Sequence, residues 1–382
     1  CMMLKKFPQN LMNSMPKTQE TVLEIDLNAL KQNFQYLKSK ISKDTKFLAV
    51  VKAYAYGSEA TEIANYLQDL QVDYFAVAYP SEGVALRDAG ITKPILVLHP
   101  QPVNYKILIA RCLEPSLYNF TSLNSFLETA LEEKQQNYPI HIKFNTGLNR
   151  LGFDEVDIEA IYNKLKVSSS VKVKSIFSHL AASEDLNEKE FTLNQIKAFQ
   201  SISKKFIETV GYKPMLHLCN TSGILNYPEA HLDMVRSGIG LYGFGNSEIE
   251  NKHFTPIATL KSVISQIHTI EKGETVGYNR AFKSDSLIKT ATIPIGHADG
   301  IGRQYGNGKG FVTIHGKPAY IVGNVCMDMI MVNVTDIDCQ EGDEVMVFGK
   351  KPNASEFAER ANTISYEILT AISQRIKRLL IK

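Results

Sequence analysis

The side chains best placed to do chemistry are cations at the ends of apolar runs. Lys52 closes one such run, in LAVVKAYAYG. A lysine held against an apolar strand loses hydration, so its pKa falls and it becomes a candidate Schiff-base nucleophile. The plainer alternative is a lysine snorkelling at a strand end. KFNTGLNRLGF sets Lys143 and Arg150 seven residues apart. Two cations at one mouth invite an anionic ligand or a modification that reverses one charge, unless both are ordinary surface cations. RSGIGLYGFG (236–245) joins Arg236 to glycines whose backbone N–H groups can cradle an anion, or which merely permit tight packing. His179 in SIFSHLAASED and Asn220–Thr221 in HLCNTSG also follow β-rich runs, where core or capping roles are the default. Later, VGYNRAF presents Tyr278 and NVCMDM presents Met327 and Asp328, each singly an ordinary turn or strand residue.

Positioning these groups takes strands. From Lys46 to about Phe244, β-rich runs alternate with amphipathic stretches. The strand candidates are 46–53, 72–78, 94–100, 114–120, 139–145, 171–180, 215–220 and 233–240. Between them, segments such as 58–70, 122–136 and 194–210 repeat apolar residues at three and four, the helical spacing. Such alternation implies parallel βαβ units, and eight of them close a (β/α)8 TIM-type barrel. Active sites of that fold lie at the C-terminal ends of the strands, where Lys52, His179 and Asn220 fall. The run 21–30 is a ninth strand candidate, free to join a sheet outside the barrel. After about Asn251 the segments turn short and β-branched, with Gly, Asp or Pro between them, the pattern of an antiparallel sheet or barrel. A helix over about 365–379 is expected to close the chain. The domain reading is therefore an N-terminal extension (1–20), a barrel (21–252) and a mostly antiparallel β-domain (253–382).

Composition narrows the function. With 382 residues, 44% of them hydrophobic, and 21% charged, the chain reads as globular and about two domains long. Lys+Arg 42 against Asp+Glu 40 leaves a net charge of +2, which argues for neither nucleic acid nor an anionic membrane as partner. No run approaches the roughly 18–20 apolar residues of a membrane span. The segment CMMLKKFPQNLMNSMPKTQE lacks the apolar stretch of a secretory signal. Five cysteines, widely spaced and without a CxxC pair, point away from a disulfide framework or metal site and toward a reducing cytoplasm.

Taken together, AVVKAYAYG, KFNTGLNRLGF, FSHLAASED, HLCNTSG, RSGIGLYG, VGYNRAF, PIGHADG and GNVCMDM stand in the order and spacing of one family. From about residue 20 to its end the chain resembles the bacterial alanine racemases. The resemblance implies a homodimer that uses pyridoxal 5'-phosphate (PLP) and interconverts L- and D-alanine for peptidoglycan synthesis. It implies that Lys52 links covalently to PLP and is the base on one face of the substrate, with Tyr278 of the partner subunit the base on the other. Arg236 would hydrogen-bond the pyridine nitrogen; being always protonated, it would weaken the cofactor as an electron sink, which suits racemisation over transamination. Arg150 would bind the substrate carboxylate, assisted by the backbone N–H of Met327 of the partner subunit. Lys143 matches the lysine that is carbamylated in the family. Tyr56, Asn220, Thr221, Gly238 and Ile239 would hold the cofactor around its phosphate, and His179 would pack against its ring.

Some positions depart from the family pattern. Asn145 stands for the usual Asp, Leu148 for Met, Tyr54 for Asn, and His297 for a Tyr near the access corridor. Gln374 falls where a phosphate-binding Tyr is expected, a change within the phosphate shell. A racemase of broader or serine specificity is the near alternative, since pocket size is not legible in sequence. A non-catalytic PLP carrier is the distant one, although such carriers usually lack the β-domain.

Overall fold

A computed structural model describes residues 18–382, so the extension expected over 1–20 lies outside the described residues apart from 18–20. The chain divides into two compact units. One comprises Leu23–Leu260, Ala298–Ile301 and Phe348–Lys382; the other comprises Lys261–His297 and Gly302–Val347, together with residues up to Val22.

In the first unit, β1 (Val22–Asp26) precedes the eight strands of a closed parallel barrel. These are β2 (Lys46–Val50), β3 (Tyr74–Val77), β4 (Ile95–Val97), β5 (Glu114–Leu117), β6 (Tyr138–Lys143), β7 (Val171–Phe177), β8 (Met215–His217) and β9 (Met234–Ser237). Every one of the eight candidate runs contributes a strand. Parallel pairing of β2 with β9, Lys46 opposite Met234, closes the ring. Strands covered on both faces should be apolar throughout, and YFAV of β3 and ILV of β4 are buried at every position. Helices return the chain between strands, among them Pro80–Asp88, Phe120–Glu132 and Lys189–Val210. The last of these stops at Gly211, whose φ of +80° suits the left-handed C-terminal position. β1 stands outside the barrel, in a sheet between β10 (Ala258–Val263) and β19 (Lys377–Ile381).

The second unit is antiparallel. β11 (Gln266–Ile270), β14 (Ile288–Ile293) and β17 (Ile330–Asn333) form a three-stranded sheet with β14 in the middle. β12 (Thr275–Val276) pairs with β13 (Phe282–Lys283) across the loop that carries Tyr278. β15 (Phe311–Ile314) pairs with β16 (Lys317–Tyr320) and with β18 (Glu344–Phe348). His315 and Gly316, both at positive φ, make the two-residue turn between β15 and β16, the geometry that matches strand twist.

The single closing helix expected over 365–379 does not form. Ala354–Glu359 and Ser365–Ala371 are separate short helices, and the chain then extends into β19. The Arg378 guanidinium donates to the carbonyls of Ile372, Ser373 and Ile376, and so fixes a bend where the helix would have continued. Ile368, Leu369, Ile372 and Ile376, whose spacing suggests one amphipathic helix, are buried in this broken path. Among the described residues no helix is long and apolar enough to cross a membrane.

Candidate active site

A cavity of about 680 Å³ opens at the C-terminal ends of the barrel strands. Its wall includes Lys52, Tyr56, Lys143, Arg150, His179, Asn220, Thr221, Arg236, Gly238 and Ile239, so the structure brings together every barrel residue singled out from the sequence. Tyr278 and Met327 belong to the second unit and do not line it.

Lys52 does not end a strand. β2 stops at Val50, and Lys52 opens a short turn in which Ala53, Tyr54, Ala55 and Tyr56 all have φ between +51° and +58°, a left-handed run rare for residues with a Cβ. Glu82 secures its start: one carboxylate oxygen accepts from the Ala53 N–H at 2.6 Å, the other from the N–H groups of Ala78 and Tyr79 at 2.7 and 2.9 Å. Burial, then the nearby charge of Arg150, hold the Lys52 amine below the ordinary lysine range, against a smaller opposing pull from Glu82.

Lys143 ends β6 and is buried, its Nζ 5.8 Å from the centre of the Phe177 ring. Desolvation, with Arg150, Arg236 and Lys52 adding repulsion, pushes its pKa down to about 8. Arg150 sits on the loop that follows. That loop is shaped by Asn145, whose Oδ1 accepts from the N–H groups of Gly147 and Asn149 at 3.1 and 3.0 Å and whose Nδ2 donates to the Asn149 side chain at 2.8 Å. Asn therefore supplies the turn that Asp would make with the same oxygen.

Arg236, on β9, is 5% exposed, and its guanidinium is held by four groups. It meets His217 Nδ1 at 2.7 Å and His179 Nδ1 at 3.2 Å, and donates to the carbonyls of Ser178 and Leu218 at 2.7 and 3.0 Å. Burial, opposed by Cys219 and assisted by Arg150, lowers its pKa to about 10, which leaves it charged at neutral pH. Burial and then Arg236 drive His179 well below the usual imidazole range, so it is neutral there.

The corner beside β9 is built for an anion. The N–H groups of Gly238 and Ile239 make no hydrogen bond to the described residues. A Cβ at Gly238 would lie 2.2 Å from the Tyr56 hydroxyl, so glycine is required for the buried Tyr56, which also stacks on Tyr242, to fit. Asn220 caps the helix Thr221–Asn226 by accepting from the Gly223 N–H at 2.9 Å. Thr221 shares a 2.9 Å hydrogen bond with Ser237. Tyr366 and Asn246 complete this corner, joined by a 2.8 Å bond from the Tyr366 hydroxyl. The sequence reading misses both and assigns the tyrosine's place to Gln374. Gln374 instead lines a separate cleft of about 560 Å³. The helix that holds Tyr366 ends at Ala371, so Gln374 does not share it as the single helix expected over 365–379 would require. A lysine amine with depressed pKa, a buried guanidinium and a pair of N–H donors suit an anionic ligand with a carbonyl carbon open to an amine.

In the second unit, Tyr278 is 73% exposed on a tight turn opened by Gly277 at φ +80°, its carbonyl accepting from Asn324 Nδ2 at 3.3 Å. Met327 is 59% exposed, and the carbonyl of its neighbour Cys326 accepts from the N–H of the exposed His297 at 2.9 Å.

A family model described as the alanine racemase N-terminal domain matches residues 25–245, and one described as the alanine racemase C-terminal domain matches 257–380. The chain is 38% identical over 365 residues to the alanine racemase of Thermodesulfovibrio yellowstonii, covering 93% of this chain and 96% of the other. It is 36% identical over 374 residues to alanine racemase 1 of Clostridium acetobutylicum, covering 94% and 95%. Among solved structures, the alanine racemase of Clostridium difficile 630 superposes with a TM-score of 0.90 at 33% identity, over 95% of this chain and 96% of the other.

Proposed function

Since this chain belongs to the alanine racemase family, and is by that membership an isomerase, we propose that it uses pyridoxal phosphate and two bases, one from each subunit of a homodimer. The observation that carries this reading is Lys52: an amine of lowered pKa in the same cavity as a buried, fixed arginine and an anion-binding corner. Lys52 would hold the cofactor covalently, and Arg236 would face its pyridine nitrogen. Tyr56, Tyr366, Asn220, Thr221, Gly238 and Ile239 would take the phosphate, with His179 against the ring. When bound, the cofactor would draw electrons from the substrate Cα–H bond and so make that proton removable near neutral pH.

Proton movement then falls to this chain's own side chains. Lys52 Nζ takes or returns a proton on one face of Cα. The opposite face needs a second base, and Tyr278 of the partner subunit is the candidate, since the Tyr278 side chain is largely exposed. Arg150 would be its cationic neighbour in the shared site. Arg150 also neutralises the substrate carboxylate, which Met327 of the partner subunit would bind through its backbone N–H. Lys143, converted to a carbamate, would offer Arg150 a negative partner. The reaction would supply D-alanine for peptidoglycan in the cytoplasm.

The test is chemical trapping. Borohydride reduction of the loaded enzyme should fix the pyridoxyl mass on the peptide containing Lys52, and Lys52→Ala should retain less than about a tenth of the racemisation of L-alanine, because a nucleophile and a base are both lost. Label on another lysine, or a Lys52→Ala protein that racemises near the parent rate, would sink the assignment.

A further inference from the structure

A line of polar side chains runs through the barrel interior, away from the cavity. His217 on β8, which meets Arg236 through Nδ1, turns its Nε2 to Ser175 Oγ on β7 at 2.9 Å. Ser175 Oγ lies 2.5 Å from His141 Nδ1 on β6, and His141 Nε2 lies 2.6 Å from Glu114 Oε2 on β5. The Tyr74 hydroxyl on β3 donates to the same carboxylate oxygen at 3.0 Å. His141, Ser175 and His217 have no exposed surface, and Glu114 is 9% exposed at the N-terminal end of its strand.

With both imidazoles neutral and Glu114 ionised, one placement of protons gives every contact a donor and an acceptor. A guanidinium can only donate, so His217 Nδ1 must carry a lone pair facing Arg236, and the proton of its neutral ring sits on Nε2. That N–H donates to Ser175 Oγ. The serine hydroxyl has the two imidazoles as its partners, so its own hydrogen must go to His141 Nδ1. His141 then donates through Nε2 to the carboxylate. Each donor points from Arg236 toward Glu114. The Phe177 ring lies parallel to His217, 4° from its plane with centroids 4.7 Å apart, which keeps the imidazole from turning over.

We infer that Glu114 is a positioning residue for Arg236: as the terminal acceptor, it orders the hydrogens of His141 and Ser175 and thereby keeps His217 in the tautomer that Arg236 requires. Without that acceptor the line can reverse, which would place a His217 N–H against a guanidinium N–H and displace Arg236 from the cavity wall. The inference rests on the reading in which Arg236 faces the cofactor, and it adds a control point at the opposite end of the barrel.

Two measurements on the full-length protein test it. Nitrogen-15 spectra of histidine-labelled protein, without cofactor or substrate, should show His141 and His217 neutral and protonated on Nε2. In Ser175→Ala, which breaks the line at its middle, the Nδ1–H form of His217 should become populated. The same variant, loaded with pyridoxal phosphate, should lose about tenfold in kcat with KM for alanine within about twofold, the size of effect typical of groups that orient a directly acting residue. Glu114→Gln keeps an acceptor and should stay within about twofold of the parent, whereas Glu114→Leu should fall with Ser175→Ala. A doubly protonated His141, an Nδ1-protonated His217 in the parent, or a Glu114→Gln protein as impaired as Glu114→Leu would overturn the proposal. If Glu114→Leu does not fold, Ser175→Ala decides alone. Expected tautomers in a protein that does not racemise alanine would strike the functional reading and leave the line of hydrogen bonds standing.

Discussion

Replacing Lys143 with methionine should stabilise the cofactor-free protein, although it removes one of the cavity's charged groups. The side chain is 8% exposed, and its folded pKa of about 8 stands against 10.5 for a free lysine. At neutral pH that difference is about 3 kcal/mol of destabilisation, because the folded state must hold a buried ammonium that the unfolded state hydrates freely. Methionine fills similar volume without the charge. It forgoes the contact of the ammonium with the Phe177 face, which is worth about 1 kcal/mol, so the net gain should be about 2 kcal/mol. Pairing within the charged cluster does not reverse the sign, since Arg150, Arg236 and Lys52 are all cations. The pH dependence is equally definite. Between about 8 and 10.5 the unfolded chain is protonated at this lysine and the folded chain is not, so parent stability rises with pH and the advantage of methionine shrinks. Urea unfolding at matched protein concentration and several pH values, in buffers purged of carbon dioxide, measures this. Bicarbonate provides a second arm. A neutral Lys143 amine that adds carbon dioxide and releases one proton becomes a carbamate, whose negative charge suits its three cationic neighbours. Bicarbonate should therefore raise the melting temperature of the parent and leave Lys143→Met unchanged. A methionine variant less stable than the parent at neutral pH, or a difference that does not vary with pH, would refute the account of this site as an uncompensated cluster of positive charge.

Three further outcomes follow from the same geometry. Tyr278→Phe should abolish exchange of the α-proton of L-alanine with deuterated solvent while D-alanine still exchanges through Lys52; equal losses for the two enantiomers, read by NMR, would count against bases on opposite faces. Gly238→Ala places a Cβ 2.2 Å from the Tyr56 hydroxyl, so pyridoxal phosphate affinity in a fluorescence titration should fall at least tenfold; unchanged affinity would remove this corner from the phosphate site. Co-expressed Lys52→Ala and Tyr278→Phe chains, each inactive alone, should recover up to about a quarter of parental activity, because half the dimers are mixed and each of those has one intact site. No recovery in verified mixed dimers would place both bases on one chain.

Much of this architecture can be read from residue order, for a physical reason. Strands covered on both faces must be apolar and helices covering them must be amphipathic, so the eight runs from Lys46 to Ser237 carry both signatures. The cavity residues are legible because chemistry at a barrel mouth collects where runs such as LAVVK and IHIKFN end. Where the reading fails, the information is not local. Ile368, Leu369, Ile372 and Ile376 have helical spacing, but Arg378 binds the carbonyls that a continuing helix would have used. Tyr366 escapes notice because its role depends on Asn246, 120 positions away. Glu114, His141, Ser175 and His217 look like isolated polar residues within apolar strands. Only the successive parallel pairing of β5 to β9 turns them into a line.

The left-handed turn after Lys52 has a consequence for how this protein can drift. Four consecutive residues with a Cβ sit in a backbone region that costs roughly 1–2 kcal/mol each, a deficit which surrounding contacts such as the Glu82 bond to Ala53 must offset. Branching at Cβ aggravates that cost, so valine, isoleucine and threonine should be rare at positions 53–56 in viable variants. That filter applies even to Ala53, whose side chain is exposed. Gly57 narrows the path further, because any Cβ there would lie 1.9 Å from the Leu369 carbonyl oxygen. The stretch around the lysine is thus tied to its ancestry by backbone shape as well as by chemistry, and a library that randomised these positions would be depleted first by folding and only then by activity.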